Sequence, residues 1–89
     1  DHLEQNAPNP FRQETTLRFT LAESANVTLS VYNLAGQQVA QLVNEQREAG
    51  SHAVVWQPDA SLASGFYLCK MSVEGNGKRT LLSIKLIKQ

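Results

Sequence analysis

Apolar side chains fall on every second residue through most of this chain, and that spacing restricts it to strands with one buried face. Leu17, Phe19 and Leu21 alternate with Thr16, Arg18 and Thr20; Val27, Leu29 and Val31 alternate with Thr28, Ser30 and Tyr32. His52, Val54 and Trp56 are set against Ala53 and Val55, and Tyr67, Cys69, Met71 and Val73 against Phe66, Leu68 and Lys70. Between these runs lie turn-forming strings: Glu23-Ser24-Ala25-Asn26, Asn33-Leu34-Ala35-Gly36, the segment Pro58 to Gly65, and Gly75-Asn76-Gly77. Asn-Gly accepts the positive φ of a primed hairpin turn, so the last of these predicts a tight hairpin. With 89 residues, enough to bury about two-thirds of the surface an unfolded chain exposes, the pattern predicts one all-β domain. Its fold class is a single antiparallel Ig-like β-sandwich of about six to seven strands.

Two segments depart from simple alternation. Residues 1–13 read as an extended lead-in and linker end, because Pro8 and Pro10 fix their own φ and push Ala7 and Asn9 away from the helical region; residues 14–89 then form the sandwich. Val39, Leu42 and Val43 fit either a helical i, i+3, i+4 spacing or a short strand after the Gly36 turn, with strand preferred. Asn44 to Gly50 is polar and reads as a loop. The last strand places Thr80, Leu82, Ile84 and Leu86 inward and Leu81, Ser83, Lys85 and Ile87 outward, apolar enough on both faces to predict partial cover, a partner, or dimerisation through an edge strand.

Charge is balanced in total and polarised along the chain. Residues 1–60 hold seven acidic side chains against Arg12, Arg18 and Arg47, whereas residues 61–89 hold Lys70, Lys78, Arg79, Lys85 and Lys88 against Glu74 alone. Five dispersed cations on strand-like sequence are too sparse to track phosphates, so no nucleic-acid partner is expected. No apolar run approaches the ~20 residues that cross a bilayer, and Asp1-His2-Leu3 has neither a start methionine nor a basic n-region. A soluble fragment of a longer protein is the expectation.

Nothing in the sequence assembles catalytic chemistry. His2 and His52 are isolated, the serines are scattered through turns, and no nucleophile-elbow, paired-cysteine or Asp-rich loop pattern occurs. The expectation is no enzyme, no cofactor and no metal. Cys69 lies within an apolar alternation and reads as a small core residue. Asn26-Val27-Thr28 matches the glycosylation tripeptide, which chance produces often. Gln5, Asn6 and Asn9 with Tyr32 and Trp56 form a candidate sugar-facing set, against which Trp56, Phe19 and Tyr67 all hold inward parity. Trp56 is the expected centre of the core.

Particular strings carry a resemblance. Asn6-Ala7-Pro8-Asn9-Pro10-Phe11, Thr15-Thr16-Leu17-Arg18-Phe19 and Val27 through Val39, followed by Ala49-Gly50-Ser51-His52, Val54-Val55-Trp56 and Leu62-Ala63-Ser64-Gly65-Phe66-Tyr67, stand in order along the chain. With the closing Leu82-Ser83-Ile84-Lys85-Leu86-Ile87-Lys88, they resemble the successive blocks of the type IX secretion system type A C-terminal sorting domain. The middle strands are also similar to the Ig-like domain of flagellar hook-capping proteins. Asn33 stands where the sorting family usually has Asp.

The resemblance implies an address label. It directs a parent cargo protein upstream from the periplasm through an outer-membrane translocon, and a sortase-like peptidase then removes it and attaches the cargo to lipopolysaccharide at the cell surface. Under it, Lys85, Leu86, Ile87 and Lys88 are the expected recognition residues, read by strand addition to a receptor with the cations steering. Pro8, Asn9, Pro10, Phe11, Gly36, Trp56, Gly65 and Tyr67 are the expected structural positions of the motif. On this view loss of Leu86 to Gln89 leaves the fold mostly intact. The competing expectations are an Ig-like structural spacer and a carbohydrate-binding accessory module of a polysaccharide-degrading enzyme.

Overall fold

Seven strands account for the alternation, and the computed structural model describes all of residues 1–89. They are β1 (His2–Leu3), β2 (Thr15–Leu21), β3 (Ala25–Asn33), β4 (Gln38–Arg47), β5 (Gly50–Trp56), β6 (Gly65–Gly75) and β7 (Lys78–Lys88). All pairings are antiparallel, and they build two sheets: one in the order β1-β2-β5, the other in the order β4-β3-β6-β7. Each sheet buries one apolar face, and the two stack face to face as an Ig-like sandwich.

The inward parity is the one the sequence predicts. Leu17, Phe19 and Leu21 from β2, Val27, Leu29 and Val31 from β3, and Tyr67, Cys69, Met71 and Val73 from β6 are all buried. Leu86 completes the set from β7, fully covered, with Leu82 and Ile84 packed against the core from the same strand. Trp56 ends β5 between two other aromatics, its ring centroid 5.6 Å from Phe11 and 6.4 Å from Tyr67 in an edge-on arrangement. Such pairs add about 0.5–1.5 kcal/mol each beyond the area they bury.

The turns follow their side chains. Asn76 and Gly77 form the β6–β7 connection with φ of 51° and 72°, the positive values a two-residue primed turn demands and the reason Gly follows Asn there. In the β3–β4 turn the Asn33 carbonyl accepts from Gly36 N–H at 3.0 Å, and Gly36 takes φ +87°. The Asn33 side-chain oxygen accepts from Ala35 and Gln37 N–H, each at 3.0 Å. Amide and carboxylate oxygens serve this turn equally well, which accommodates Asn at that position.

One segment differs from the sequence reading. Asn44 to Gly50 is not a loop: β4 continues to Arg47, β5 begins at Gly50, and only Glu48 and Ala49 connect them. The nine-residue β3 needs a backbone partner along its whole length, and Ala25 to Thr28 pair with Arg47 to Asn44. Ladder hydrogen bonds ignore side-chain polarity, so polar residues serve at a sheet edge. The helical look of Val39, Leu42 and Val43 has a related cause. The β3–β4 register skips at Leu42 and again at Val39, so two bulges break the period of two and space the apolar residues as a helix would.

Truncating Trp56 to Ala removes the ring that joins Phe11 to Tyr67 and leaves a cavity. The expected cost is about 3–5 kcal/mol, a large part of the stability of a domain of this size, and it is read as a lower denaturation midpoint; an unchanged midpoint contradicts the core assignment. Burial also pushes the Cys69 thiol up from 9.0 to about 12. Above pH 9 the unfolded chain ionises this thiol while the folded one holds its proton, so stability is full below that pH and declines as pH rises towards 12. At neutral pH Cys69 is expected to resist a disulfide reagent until denaturant is added, whereas immediate labelling of the native domain overturns its placement.

Candidate functional site at the lead-in and the closing strand

The motif positions at opposite ends of the chain come together at one end of the sandwich. Residues 5–11 lie between β2 and the end of β7, with the Ala7 backbone bridging Thr16 of β2 and the Phe11 backbone reaching β7. Phe11 N–H donates to the Ile87 carbonyl at 2.9 Å, and Gln89 N–H donates to the Phe11 carbonyl at 2.8 Å, a parallel bridge between Phe11 and Lys88. The Asn9 side-chain oxygen accepts from Ile87 N–H at 3.0 Å, and Gln5 Nε2 donates to the Lys85 carbonyl at 2.8 Å. The peptide bonds preceding Pro8 and Pro10 are both cis.

A buried polar network holds this strap to β2. Asn6 is 3% exposed; its Nδ2 donates to Thr15 Oγ1 at 2.9 Å and to the Pro8 carbonyl at 3.1 Å, and its Oδ1 accepts from Gln5 Nε2 at 2.7 Å. Thr15 Oγ1 in turn donates to the same Pro8 carbonyl at 2.9 Å. Buried amides without partners cost about 1–3 kcal/mol each, and here every polar atom of the Asn6 side chain is answered. Asn6 and Trp56 are buried, and the exposed Gln5 and Asn9 direct side-chain bonds to the β7 backbone, so the sugar-facing set does not form one surface.

Below the strap lies the apolar anchor. Phe11 is 1% exposed and rests on Trp56, which meets Tyr67, whose hydroxyl donates to the Ala63 carbonyl at 2.5 Å. Tyr67 pairs with Leu86 and Gly65 with Lys88 in the β6–β7 ladder. Pro8, Asn9, Pro10, Phe11, Trp56, Gly65, Tyr67 and the closing Lys85–Lys88 thus form one continuous unit. Gly36 reaches the same end through Asn33, the β3 partner of Tyr67.

The four closing residues are not equivalent. Lys85 is exposed, with Nζ 5.4 Å from the Phe66 ring centroid, while Ile87 and Lys88 are half-buried and Leu86 is fully covered. Loss of Leu86 to Gln89 removes a core side chain and both backbone bonds of Phe11. The fold therefore depends on these residues, contrary to the sequence expectation. Strand addition across residues 85–89 also requires the strap to leave. The structural role of Pro8–Phe11 was expected, but its bonds were not readable: Asn6 and Thr15 meet each other and the Pro8 carbonyl, while Asn9 and Phe11 find Ile87 and Gln89 at the far end of the chain.

Elsewhere the chemistry is structural. His52 stacks on Phe19 with centroids 5.1 Å apart, and its Nε2 lies 2.7 Å from the Glu48 carbonyl. No group of His, Cys, Asp or Glu comes together to hold a metal ion. A groove of about 480 Å³ crosses the outer face of β3, β6 and β7, where Lys70 Nζ sits 5.0 Å from the Tyr32 ring centroid. The ring surface a sugar would need already carries an ammonium there.

Known proteins share this architecture. The crystal structure of FlgD from P. aeruginosa superposes with a TM-score of 0.64 at 23% identity, over 88% of this chain and 70% of that one. No curated protein matches the chain. The family model for the FlgD Ig-like domain matches residues 6–77, from the buried Asn6 of the strap to the Gly77 hairpin turn. The chain belongs to the FlgD Ig-like domain family.

Proposed function

We propose that this Ig-like accessory domain is a sorting label, which takes a larger protein through the type IX outer-membrane translocon for attachment at the cell surface. The observation that carries the reading is the convergence of the Pro8–Phe11 opening and the Lys85–Lys88 closing block on one surface. Two strings that the sorting-domain resemblance marks independently are joined by backbone bonds into a single feature with two cations, Lys85 and Lys88, at its rim. A receptor that reads this end would find it assembled only in the folded domain. The outer-membrane translocon and a sortase-like peptidase are the partners under this reading, and the domain acts as their substrate.

The test fuses residues 1–89 behind a signal peptide and a fluorescent reporter, in a type IX-competent host and in its translocon-null mutant. Reporter at the surface or in the medium of the competent host alone is the expected result. Retention in the periplasm of both hosts overturns it and favours a second reading, an assembly module of the kind carried by FlgD, the hook-capping protein; the family match is the observation behind that reading.

Two variants separate recognition from folding. Replacing Lys85 and Lys88 together by Ser leaves the core untouched, so the melting temperature is expected to hold while export falls. Deleting Leu86 to Gln89 is expected to lower the melting temperature by roughly 10 °C or more, because a fully buried Leu and the Phe11 bonds are lost. Undiminished export by the double Lys variant removes the cations from the recognition surface.

A further inference from the structure

β5 ends the three-stranded sheet with one side of its backbone unanswered. The Arg18 carbonyl accepts from Glu4 N–H, and Thr16 and Ala7 exchange a pair of bonds, so the even-numbered residues of β2 face β1 and the strap. The odd-numbered ones bond to β5, where Leu17 meets Val54, Phe19 meets His52 and Leu21 meets Gly50. Ser51, Ala53 and Val55 therefore turn their N–H and C=O away from β2. β5 pairs with no other strand, and the turn and loop bonds of the domain do not reach these groups. The same three side chains stand exposed on the outer face of the sheet, Val55 to 58%.

Edges elsewhere are guarded. β4 carries two bulges and ends in charged residues, β1 is two residues long and lies against β7, and β7 is lined by Lys78, Arg79, Lys85 and Lys88 with the strap over its end. β5 has none of these devices. Gly50–Trp56 contains no proline and no Lys, Arg, Asp or Glu, its register with β2 is unbroken, and its Val54-Val55-Trp56 run favours strand pairing.

From these observations we infer that β5 is the docking edge for a second copy of this domain, paired antiparallel about a two-fold axis at Ala53. Ala53 then faces itself, and Ser51 faces Val55 of the second copy twice over, with about six backbone hydrogen bonds across the seam. Side-chain chemistry selects the copy. An edge with no cation or carboxylate gives a charged segment nothing to pair with, and it meets itself without a like-charge contact. The charge beside the seam is Arg18, the β2 partner of Ala53. In the dimer the two Arg18 backbones stand three strand spacings apart, about 14 Å, beyond the screening length of about 10 Å. The axis uses both β5 edges, so the assembly closes as a dimer. So short a seam falls below the about 1,200–2,000 Å² of a stable interface, and association is weak, half-complete at roughly 0.1 mM. β5 and β1 are opposite edges of their sheet, and β7 lies on the β1 side, so the strap and Lys85–Lys88 stay free at both ends of the dimer. The inference rests on this edge alone and does not depend on the sorting reading.

Sedimentation of the 89-residue domain from about 10 μM to about 1 mM is expected to show a monomer–dimer equilibrium. Amide exchange at Ser51, Ala53 and Val55 is expected to slow as concentration rises. Two double variants read the register. Both change exposed positions opposite Thr20 and Thr16 of β2, so both are expected to keep the melting temperature. Ser51→Lys with Val55→Lys sets ammonium against ammonium at each end of the seam and is expected to weaken association about tenfold. Ser51→Lys with Val55→Glu sets ammonium against carboxylate there and is expected to restore it. A monomer at every concentration overturns the inference. Association that the double Lys variant retains, or that Ser51→Lys with Val55→Glu loses equally, overturns it too, because the seam then lies at another edge or in another register.

Discussion

Phe11 is the residue on which the arrangement of the two chain ends depends. Its ring fills the space beside Trp56, and its backbone donates to Ile87 and accepts from Gln89. The ring fixes the lead-in to the core, while the backbone fixes the closing strand to the lead-in. A polar residue at this position would lose the aromatic contact and release the strap, and with it the shield over the last residues of β7. The Asn6–Thr15–Pro8 network performs the same task from the β2 side, where neutral hydrogen bonds out of water hold an extended segment that makes few ladder bonds of its own.

The coupling of the ends follows from sandwich topology. β7 closes the four-stranded sheet at the side where β1 closes the three-stranded one, so the lead-in after β1 passes directly over the β7 edge. An Ig-like sandwich leaves such edges open by construction, and a chain must cover, shorten or bend each of them to remain monomeric. This one bends β4 with bulges, shortens β1 and lays residues 5–11 over the end of β7, while β5 is paired with β2 alone.

Strand parity was legible in the sequence because burial imposes a period of two wherever one face meets the core. The Asn-Gly hairpin, the Gly36 turn and the central Trp56 were legible for equally local reasons. β4 was legible in part: its first half was preferred as strand although its bulges imitate helical spacing, while its continuation over Asn44 to Arg47 was missed, since a polar edge strand satisfies its backbone without an apolar signature. The strap was hidden more deeply. Asn6 and Asn9 owe their roles to Thr15 and Ile87, and no local pattern links residues 78 apart in sequence, such as Asn9 and Ile87. The strings that resemble a sorting domain marked both halves of the site, but only the folded chain shows that they touch.

That contact changes what the closing Lys block can mean. A strand whose outward bonds are already made offers its side chains to a receptor, and withholds its backbone unless the strap is displaced. Lys85 and Lys88, three residues apart on one strand, leave opposite faces of the sheet on either side of the half-buried Ile87, an arrangement that depends on the fold and is lost with it. The cations gathered in residues 61–89 lie on β6 and β7, and the acidic excess falls on the preceding strands and turns. The balanced net charge of the chain thus conceals a positive edge, whose field is screened over about 10 Å at ordinary salt and is not averaged over the molecule.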